Sequence, residues 1–218
     1  MNEPGEQDAL DTFGQINPLI AFLDRMDRRP DVIARRRRSY ELLSLRAGAK
    51  VVDVGCGAGT AVRDLASYVA PGGSAIGVDF GPPFIEAATA RAAKAGVDVA
   101  FHVANAEELP FASESLDGYR AERLYQHLAE PTKALAEARR VLAPGGRILL
   151  DQDWDATLID SDDKATTRAI LRAFADGIAN SAVGRQYHRR LGDAGFADVV
   201  ILAEASISTD WDDYGFLV

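Results

Sequence analysis

The sequence predicts an α/β fold in which helices cover both faces of a mostly parallel sheet. Three observations favour this class. Strand-like apolar runs alternate with helical patterns along most of the chain, and turns rich in glycine or proline separate them. A strand, a glycine turn and a helix follow one another around residue 55. Hydrophobic residues make up 47% of the 218 residues, which is enough for one α/β core.

The first predicted strand, Val51–Val54, breaks into a turn in which three glycines alternate, Gly55, Gly57 and Gly59. Because glycine has no Cβ, the backbone of this turn can pass close to a ligand. A helix is predicted over Ala61–Val69, and its free N–H groups and positive dipole end point toward the same place. The arrangement indicates a nucleotide-type ligand.

The spacing of the turn separates two kinds of cofactor. A dinucleotide site typically has the pattern G-x-G-x-x-G, but here the pattern is G-x-G-x-G, and Asp53 stands two positions before the first glycine. A carboxylate at this place would repel a pyrophosphate and would suit a cationic ligand with an ammonium group. An NAD-dependent dehydrogenase is therefore the less favoured alternative, and NAD binding would test it.

An acid ends the second predicted strand, Ser74–Phe80. Asp79 lies 20 residues after the last glycine of the turn. One carboxylate can accept hydrogen bonds from two ribose hydroxyls, and the ring of Phe80 could cover an adenine face. A helix over Pro83–Ala95 and a third strand over Val97–Val103 follow.

Strands four and five are predicted over Ser115–Glu122 and Arg147–Asp151. A helix over Pro131–Leu142 lies between them, with its proline in the first turn, where proline is tolerated. The turn Ala143–Gly146 ends that helix. These elements continue the alternation that is typical of a parallel sheet.

Four motifs have the order and spacing of the class I S-adenosylmethionine-dependent methyltransferases, which the chain resembles over about residues 50–150. They are the D-x-G-x-G-x-G run from Asp53, the strand-ending Asp79, the N-A-E-E-L-P-F segment from Asn105 and the R-V-L-A-P-G-G run from Arg140. The chain is most similar to the small-molecule, UbiE-like branch, since it carries no large target-recognition domain.

The resemblance implies a Rossmann-like, doubly wound sheet of six to seven strands with helices on both faces. It also implies an N-terminal helical lid over residues 1–46 and a main domain over residues 47–218, with a helical insertion at about residues 158–182. The implied cofactor is S-adenosyl-L-methionine, and the product is S-adenosyl-L-homocysteine. The residues implied to bind it are Asp53, Gly55, Gly57, Gly59, Thr60, Asp79, Phe80, Asn105, Ala106, Glu107 and Glu122.

The third motif is implied to bind the adenine ring. In the family, its first polar side chain and the next backbone N–H contact the adenine edge, and here these are Asn105 and the N–H of Ala106. Aspartate is commoner at the first position. Asparagine also has an acceptor oxygen, so the contact with the exocyclic amine of adenine should survive.

Two helices are predicted before the first strand, over Thr12–Met26 and Pro30–Leu45. The second carries the run Arg35–Arg38, which we interpret as a solvated helix face. An alternative stays open, because lid helices cover the cofactor in small-molecule members, and one of these arginines could pair with the methionine carboxylate. Phe13 and Tyr40 could line the same pocket, although core packing is the simpler role for both.

Catalysis in this family is an in-line methyl transfer, so the acceptor must be held within ~3–3.5 Å of the methyl group. A general base is needed only if the acceptor carries a proton. Open α/β sheets bind ligands at the carboxyl ends of their strands, where Glu122, His127 and Asp153 are the catalytic candidates. His127 is the natural base because a histidine titrates near neutrality, but it could instead cap the next helix. Glu122 could instead contact the methionine ammonium.

No metal is predicted. Asp151, Asp153 and Asp155 alternate like calcium ligands, but the glycine and the distal glutamate of a calcium loop are missing. A contact with an acceptor amine or an acidic rim of the pocket fits these acids better than a metal site, and plain solvent exposure is the favoured interpretation. The other histidines, His102 and His188, are assigned to packing and to a surface helix.

Beyond strand five, a helix over Asp162–Asn180 is implied to shape the acceptor pocket. A last helix over Tyr187–Ala194 and a sixth strand over Asp198–Ser208 follow. Only the stretch Tyr214–Val218 remains for a seventh strand, so we expect either a very short strand or a sequence that stops before the strand is complete. An unpaired sixth strand would be an aggregation hazard, so we expect its edge to be covered, for example by a second subunit.

Composition narrows the partners and the location. The net charge of −9 argues against nucleic acid as a partner. No apolar run approaches the ~20 residues of a membrane span, and the polar first residues do not resemble a signal peptide. The single cysteine, Cys56, suits a reducing cytoplasm. We expect a cytoplasmic monomer or homodimer that acts on a small-molecule methyl acceptor.

The motifs predict cofactor binding more directly than they predict transfer. The favoured function is transfer of a methyl group to O, N or C of a small metabolite, such as a natural-product intermediate. Two alternatives keep the cofactor: catalysis of a cyclisation or decarboxylation, and a non-catalytic role as the partner of another enzyme.

Overall fold

The computed structural model describes residues 18–151, 157–204 and 207. Its strands are β1 Lys50–Val54, β2 Ser74–Asp79, β3 Ala100–Val103, β4 Leu116–Glu122 and β5 Leu142–Asp151. They form one parallel sheet in the order β3-β2-β1-β4-β5. The predicted α/β class with a parallel sheet is confirmed.

Helices follow most of the strands. Those in the described residues are α1 Pro18–Asp27, α2 Pro30–Leu43, α3 Thr60–Val69, α4 Pro82–Ala95, α5 Pro131–Val141, α6 Lys164–Asp176 and α7 Tyr187–Asp193. Two 3₁₀ turns, Tyr125–His127 and Gly184–Gln186, follow β4 and precede α7. Within these ranges, no helix combines the length and the apolar character that crossing a membrane requires.

Both faces of the sheet are buried. Val51 and Val52 are adjacent in β1, so their side chains point to opposite faces. Val52 lies in a core cluster with Tyr119 of β4, whereas Val51 lies in a second cluster with Tyr40 of α2 and Leu65 of α3. A strand that is apolar on both faces is typical of a parallel sheet with helices above and below it.

The winding of the chain reverses at β1, which has β2 on one side and β4 on the other. The carboxyl ends of β1 and β4 therefore flank a crevice at the switch point, where open α/β sheets bind their ligands. The register places Asp53 of β1 opposite Arg120 of β4. Any ligand at this crevice would meet these two strand ends first.

The predicted sixth strand is wrong for the residues that the structure describes. Residues 199–204 pair with no strand, and the side chain of Val200 is 75% exposed. A β-rich run is not sufficient for a strand, because a strand also needs a partner edge and a covered face. The described sheet therefore has five strands, not six to seven. The predicted seventh strand, Tyr214–Val218, lies outside the described residues.

Candidate functional site

The glycine turn joins β1 to α3 at the switch point. Gly55, Gly57 and Gly59 have positive φ angles of 74°, 51° and 79°. A Cβ at Gly59 would lie 2.8 Å from the Cβ of Ala88 and 2.8 Å from the ring of Phe101. The turn therefore packs against α4 and β3 more closely than any other residue would allow.

Thr60 begins α3 directly after the turn. Its hydroxyl accepts a hydrogen bond from Nη2 of Arg63 at 3.4 Å, and Nη1 of Arg63 donates to the carbonyl of Ala58 at 3.0 Å. Arg63 thus ties the first turn of α3 back to the glycine turn.

The carboxylate of Asp79, at the end of β2, holds the glycine turn in place. Its Oδ2 accepts a hydrogen bond from the N–H of Gly57 at 2.9 Å, and its Oδ1 accepts one from the N–H of Gly81 at 2.9 Å. Each oxygen keeps a second lone pair that a ligand hydroxyl can use. The next residue, Phe80, is 81% exposed, so its ring is open to a planar ligand.

The segment after β3 uses its polar side chains to hold its own shape. Oδ1 of Asn105 accepts a hydrogen bond from the N–H of Glu107 at 3.0 Å. Oε1 of Glu107 accepts one from the N–H of Glu130, just before α5, at 3.2 Å. Ala106, between them, is buried. Of the three residues predicted to contact the cofactor here, Asn105 and Glu107 thus each have one side-chain oxygen engaged by a backbone N–H.

A glutamate and an arginine of α5, which the sequence patterns did not reveal, clamp the same segment. Oε2 of Glu137 accepts a hydrogen bond from the N–H of Leu109 at 2.8 Å. Arg140 donates to the carbonyls of Phe111 at 2.7 Å and Leu109 at 3.1 Å, and it pairs with Glu137 at 2.6 Å. The R-V-L-A-P-G-G run therefore does more than end a helix, because its arginine fixes the loop after β3.

A buried arginine, also not predicted, lies at the centre of the site. Arg120 of β4 is 2% exposed, and its Nη1 donates to Oδ1 of Asp53 at 2.7 Å. Its Nη2 donates to Glu122, and its Nε donates to the hydroxyl of Ser39 at 2.8 Å. The guanidinium carbon lies 5.5 Å from the ring centre of Tyr40. The available signal was an arginine among apolar residues in a central strand, since a buried charge requires a partner.

One carboxylate oxygen of Asp53 already has a partner. The side chain is buried, and its Oδ1 accepts a hydrogen bond from Nη1 of Arg120. Burial raises the pKa of Asp53, and the Arg120 guanidinium opposes that rise. The nearby carboxylate of Glu122 has one oxygen, Oε1, that accepts no hydrogen bond from the described residues.

Glu122 ends β4 among three arginines. Its side chain is 7% exposed, Arg120 donates to its Oε2, and its Oε1 lies 3.5 Å from Nε of Arg123 and 3.7 Å from Nη2 of Arg35. This buried Oε1 accepts no hydrogen bond from the described residues. Burial raises the pKa of Glu122, but the arginines together outweigh burial and lower it to about 2. The carboxylate therefore stays ionised and is a weak base.

The arginine run of α2 divides between the site and the solvent. Nε of Arg35 lies 3.2 Å from Oδ2 of Asp151, but it is buried and makes no hydrogen bond to a described residue. Arg36 is buried and pairs with Asp27. The next two arginines are exposed. The solvated-face interpretation therefore fits Arg37 and Arg38 but not Arg35 and Arg36, and pairing of one of these with the methionine carboxylate stays a prediction.

Helix α1 lies over the glycine turn. A Cβ at Gly57 would stand 3.4 Å from Cδ1 of Leu23. Asp24 pairs with Arg91 of α4 through two hydrogen bonds of 2.8 Å. These contacts hold the N-terminal helix against the site.

His127 follows β4 in a 3₁₀ turn. Its ring is exposed, and its Nε2 lies 3.1 Å from Nε2 of the buried Gln126. Partial burial lowers the pKa of His127, so the ring is neutral at pH 7 and can accept a proton. The other candidates at this side, Asp153 and Phe13, lie outside the described residues.

The acid that ends β5 does not form part of a described metal site. Asp151 pairs with Arg35, and its pKa is raised by burial and by the neighbouring Glu122. Within residues 18–151, 157–204 and 207, no group of three or more His, Cys, Asp or Glu side chains could hold a metal ion. The other two acids of the alternating run, Asp153 and Asp155, lie outside those ranges.

Residues 52–150 match the family model described as a methyltransferase domain. Over these residues the chain is therefore similar to methyltransferase domains. The matched residues include the glycine turn, Asp79 and the loop after β3. They also include Glu137 and Arg140 of α5, which hold that loop.

Curated relatives extend beyond this domain. The chain is 36% identical, over 88% of its length, to an uncharacterized 37.1 kDa protein in transposon Tn4556 of Streptomyces fradiae, of which it covers 56%. It is 34% identical, over 63% of its length, to the demethylmenaquinone methyltransferase of Thermus thermophilus, of which it covers 62%. The chain therefore spans less than two thirds of either relative.

A solved structure has the same fold. The YcgJ protein of Bacillus subtilis superposes with a TM-score of 0.61 at 24% identity, over 73% of this chain and 66% of that protein. At this level of identity the likeness concerns the Rossmann-like methyltransferase fold alone.

Proposed function

We propose that the chain is a methyltransferase that transfers the methyl group of S-adenosylmethionine to O, N or C of a small-molecule metabolite. The observation that carries the proposal is a pair of buried polar atoms. Oε1 of Glu122 accepts no hydrogen bond and Nε of Arg35 donates none within the described residues. Such atoms are rare in native proteins. The amino-acid tail of the cofactor has one ammonium and one carboxylate, which are the groups that complement them.

The rest of the cofactor suits the neighbouring strand ends. Asp79 keeps lone pairs for the ribose hydroxyls, Phe80 offers an open ring for adenine, and Asn105 and the N–H of Ala106 lie on the loop assigned to the adenine edge. When bound, the cofactor supplies an electrophilic methyl group. The work left to the chain is to bind the two reactants, exclude water and remove a proton where the acceptor has one.

We assign the base to His127 rather than to Glu122. A carboxylate with a pKa of about 2 binds a proton too weakly to act as a base near pH 7. His127 is exposed, neutral and next to the end of β4. Asp153 remains a candidate because it follows β5.

A lid over residues 1–46 and a main domain over residues 47–218 are part of the proposal. The Asp24–Arg91 pair supports the lid. For the insertion at about residues 158–182, Asn180 supplies support: its N–H donates to the carbonyl of Gln126 at 2.9 Å and its Nδ2 donates to the carbonyl of Leu128 at 2.6 Å. These bonds join the insertion to the loop that carries His127.

A small acceptor is supported by the relative from Thermus thermophilus, whose name specifies demethylmenaquinone. The proposed setting is the cytoplasm, with the protein acting as a monomer or homodimer and without nucleic acid. The single cysteine and the net charge of −9 support this setting.

The test is transfer of an isotopically labelled methyl group from S-adenosylmethionine to a metabolite extract, with calorimetry against S-adenosylhomocysteine and NAD. We expect labelled small molecules and binding of S-adenosylhomocysteine. Binding without labelled product would overturn transfer and favour cyclisation, decarboxylation or a partner role. Binding of NAD alone would overturn the cofactor as well.

Replacing His127 with alanine should lower turnover by ~10²–10⁴ and leave the affinity for S-adenosylhomocysteine almost unchanged. The reason is that a base acts on the acceptor and not on the cofactor. Initial rates and calorimetry measure the two quantities. His188→Ala, at an exposed position on α7, is the matched control and should keep the wild-type rate. A wild-type rate for His127→Ala would leave the histidine with a structural role.

A further inference from the structure

Arg120 is the largest of the fully buried side chains in the described residues, and it connects three elements of the site. Its donors reach Asp53 on β1, Glu122 on β4 and Ser39 on α2. The ring of Tyr40 covers the guanidinium. A buried charge is tolerated only when its donors are satisfied in this way. The arginine is therefore held from three sides and is not placed to touch a ligand.

Arg120 occupies one oxygen of Glu122 and leaves the other. Its Nη2 donates to Oε2, which restricts rotation of the carboxylate. Oε1 is consequently turned toward Arg35 and Arg123, at 3.7 Å and 3.5 Å, where it has no hydrogen bond. At its other end, Arg120 neutralises Asp53, so two neighbouring acids can be ionised together.

We propose that Arg120 is a positioning residue that orients Glu122 so that Oε1 can receive the ammonium of the cofactor tail. This inference rests on the proposed function, because it concerns the same cofactor. The inference goes beyond the proposed function because it assigns recognition of the amino-acid tail and recognition of the adenosine to different residues. Asp79 and Asn105, on the β2 and β3 side of the site, make their own contacts with neighbouring backbone N–H groups. Loss of Arg120 therefore affects the tail selectively.

The test compares two ligands by calorimetry: S-adenosylhomocysteine, which has the amino-acid tail, and 5′-methylthioadenosine, which lacks it. In Arg120→Met, the preference for the first ligand over the second should fall by about tenfold or more, because a hydrogen bond to a charged group is lost. Arg120→Lys should keep part of the preference, since lysine has the charge without the planar fork. Arg38→Met, which replaces an exposed arginine, should keep the wild-type preference.

Ser39→Ala covers the case in which Arg120→Met does not fold. It removes one acceptor of the guanidinium, and the preference should fall by about two- to fivefold. An unchanged preference in the folded variants would overturn the proposal and leave the proposed function standing. Equal weakening of both ligands would also overturn it, because Arg120 would then support the fold alone. A wild-type protein that binds neither ligand would overturn both proposals.

Discussion

Gly59→Ala should lower the free energy of unfolding by about 1–3 kcal/mol more than Gly48→Ala does. The two glycines have nearly the same backbone, with φ of 79° and 85°, so both variants carry the left-handed strain of about 1–2 kcal/mol. They differ in what the new Cβ meets. At Gly59 it would stand 2.8 Å from Ala88 and Phe101, whereas at Gly48 nothing lies within 4 Å.

Urea unfolding of the two variants and the wild type measures this difference. The clash at Gly59 also pushes α4 and β3 away from the turn, so the affinity for S-adenosylhomocysteine should fall in the same variant. Gly48 lies before β1, at the opposite end of that strand from the glycine turn. Gly48→Ala should therefore keep the wild-type affinity for S-adenosylhomocysteine. Equal losses of stability in the two variants would mean that backbone strain, and not the close approach at Gly59, explains the glycine.

The parts of the fold that the sequence predicts are those in which local pattern and tertiary role agree. Each of the strands β1 to β5 overlaps a predicted strand and has a parallel neighbour. The run after Asp198 has an equally suitable composition but forms no strand in the described residues. Composition does not tell whether the edge of β5 will accept a further strand, because that depends on tertiary contacts.

The candidate site likewise contains residues that the sequence predicts and residues that only the assembled fold brings together. The glycine turn could be predicted because its left-handed backbone favours glycine, and Asp79 because it is the acid that ends the next predicted strand. The pair of Arg120 and Asp53 could not, since the residues lie 67 positions apart and meet only through the register of β1 and β4. Register is a property of the assembled sheet. Likewise, the rotation of α2 decides that Arg35 and Arg36 face the site while the rest of the run faces solvent.

Ion pairs of this kind give the site equal numbers of acids and arginines, some buried and some half-buried. The four acids are Asp27, Asp53, Glu122 and Asp151, and the four arginines that meet them are Arg35, Arg36, Arg120 and Arg123. In such a network, removing one member costs more than its own contacts, because a partner is left buried and unpaired. Glu122 touches three of the arginines, so it is the member whose loss should cost most.

Glu122→Gln should therefore lower the free energy of unfolding at pH 7 by an amount on the order of 3 kcal/mol. The pKa of Glu122 falls from its ordinary value of 4.5 to about 2 in the folded protein. A carboxylate whose pKa is lowered by folding stabilises the folded state above its ordinary pKa. That contribution is lost as the pH falls through the folded-state value, so the window runs from 4.5 down to about 2.

Urea unfolding of wild type and Glu122→Gln, repeated from about pH 7 to about pH 3, isolates this contribution, because the other carboxylates titrate in both proteins. The difference between the two should be constant above about pH 5 and should narrow below it. Glu41→Gln, an exposed position on α2, should stay close to wild type throughout. A difference that persisted unchanged at low pH would mean that the shape of the side chain, and not its charge, stabilises the site. No difference at pH 7 would mean that the arginines around Glu122 are satisfied by other partners.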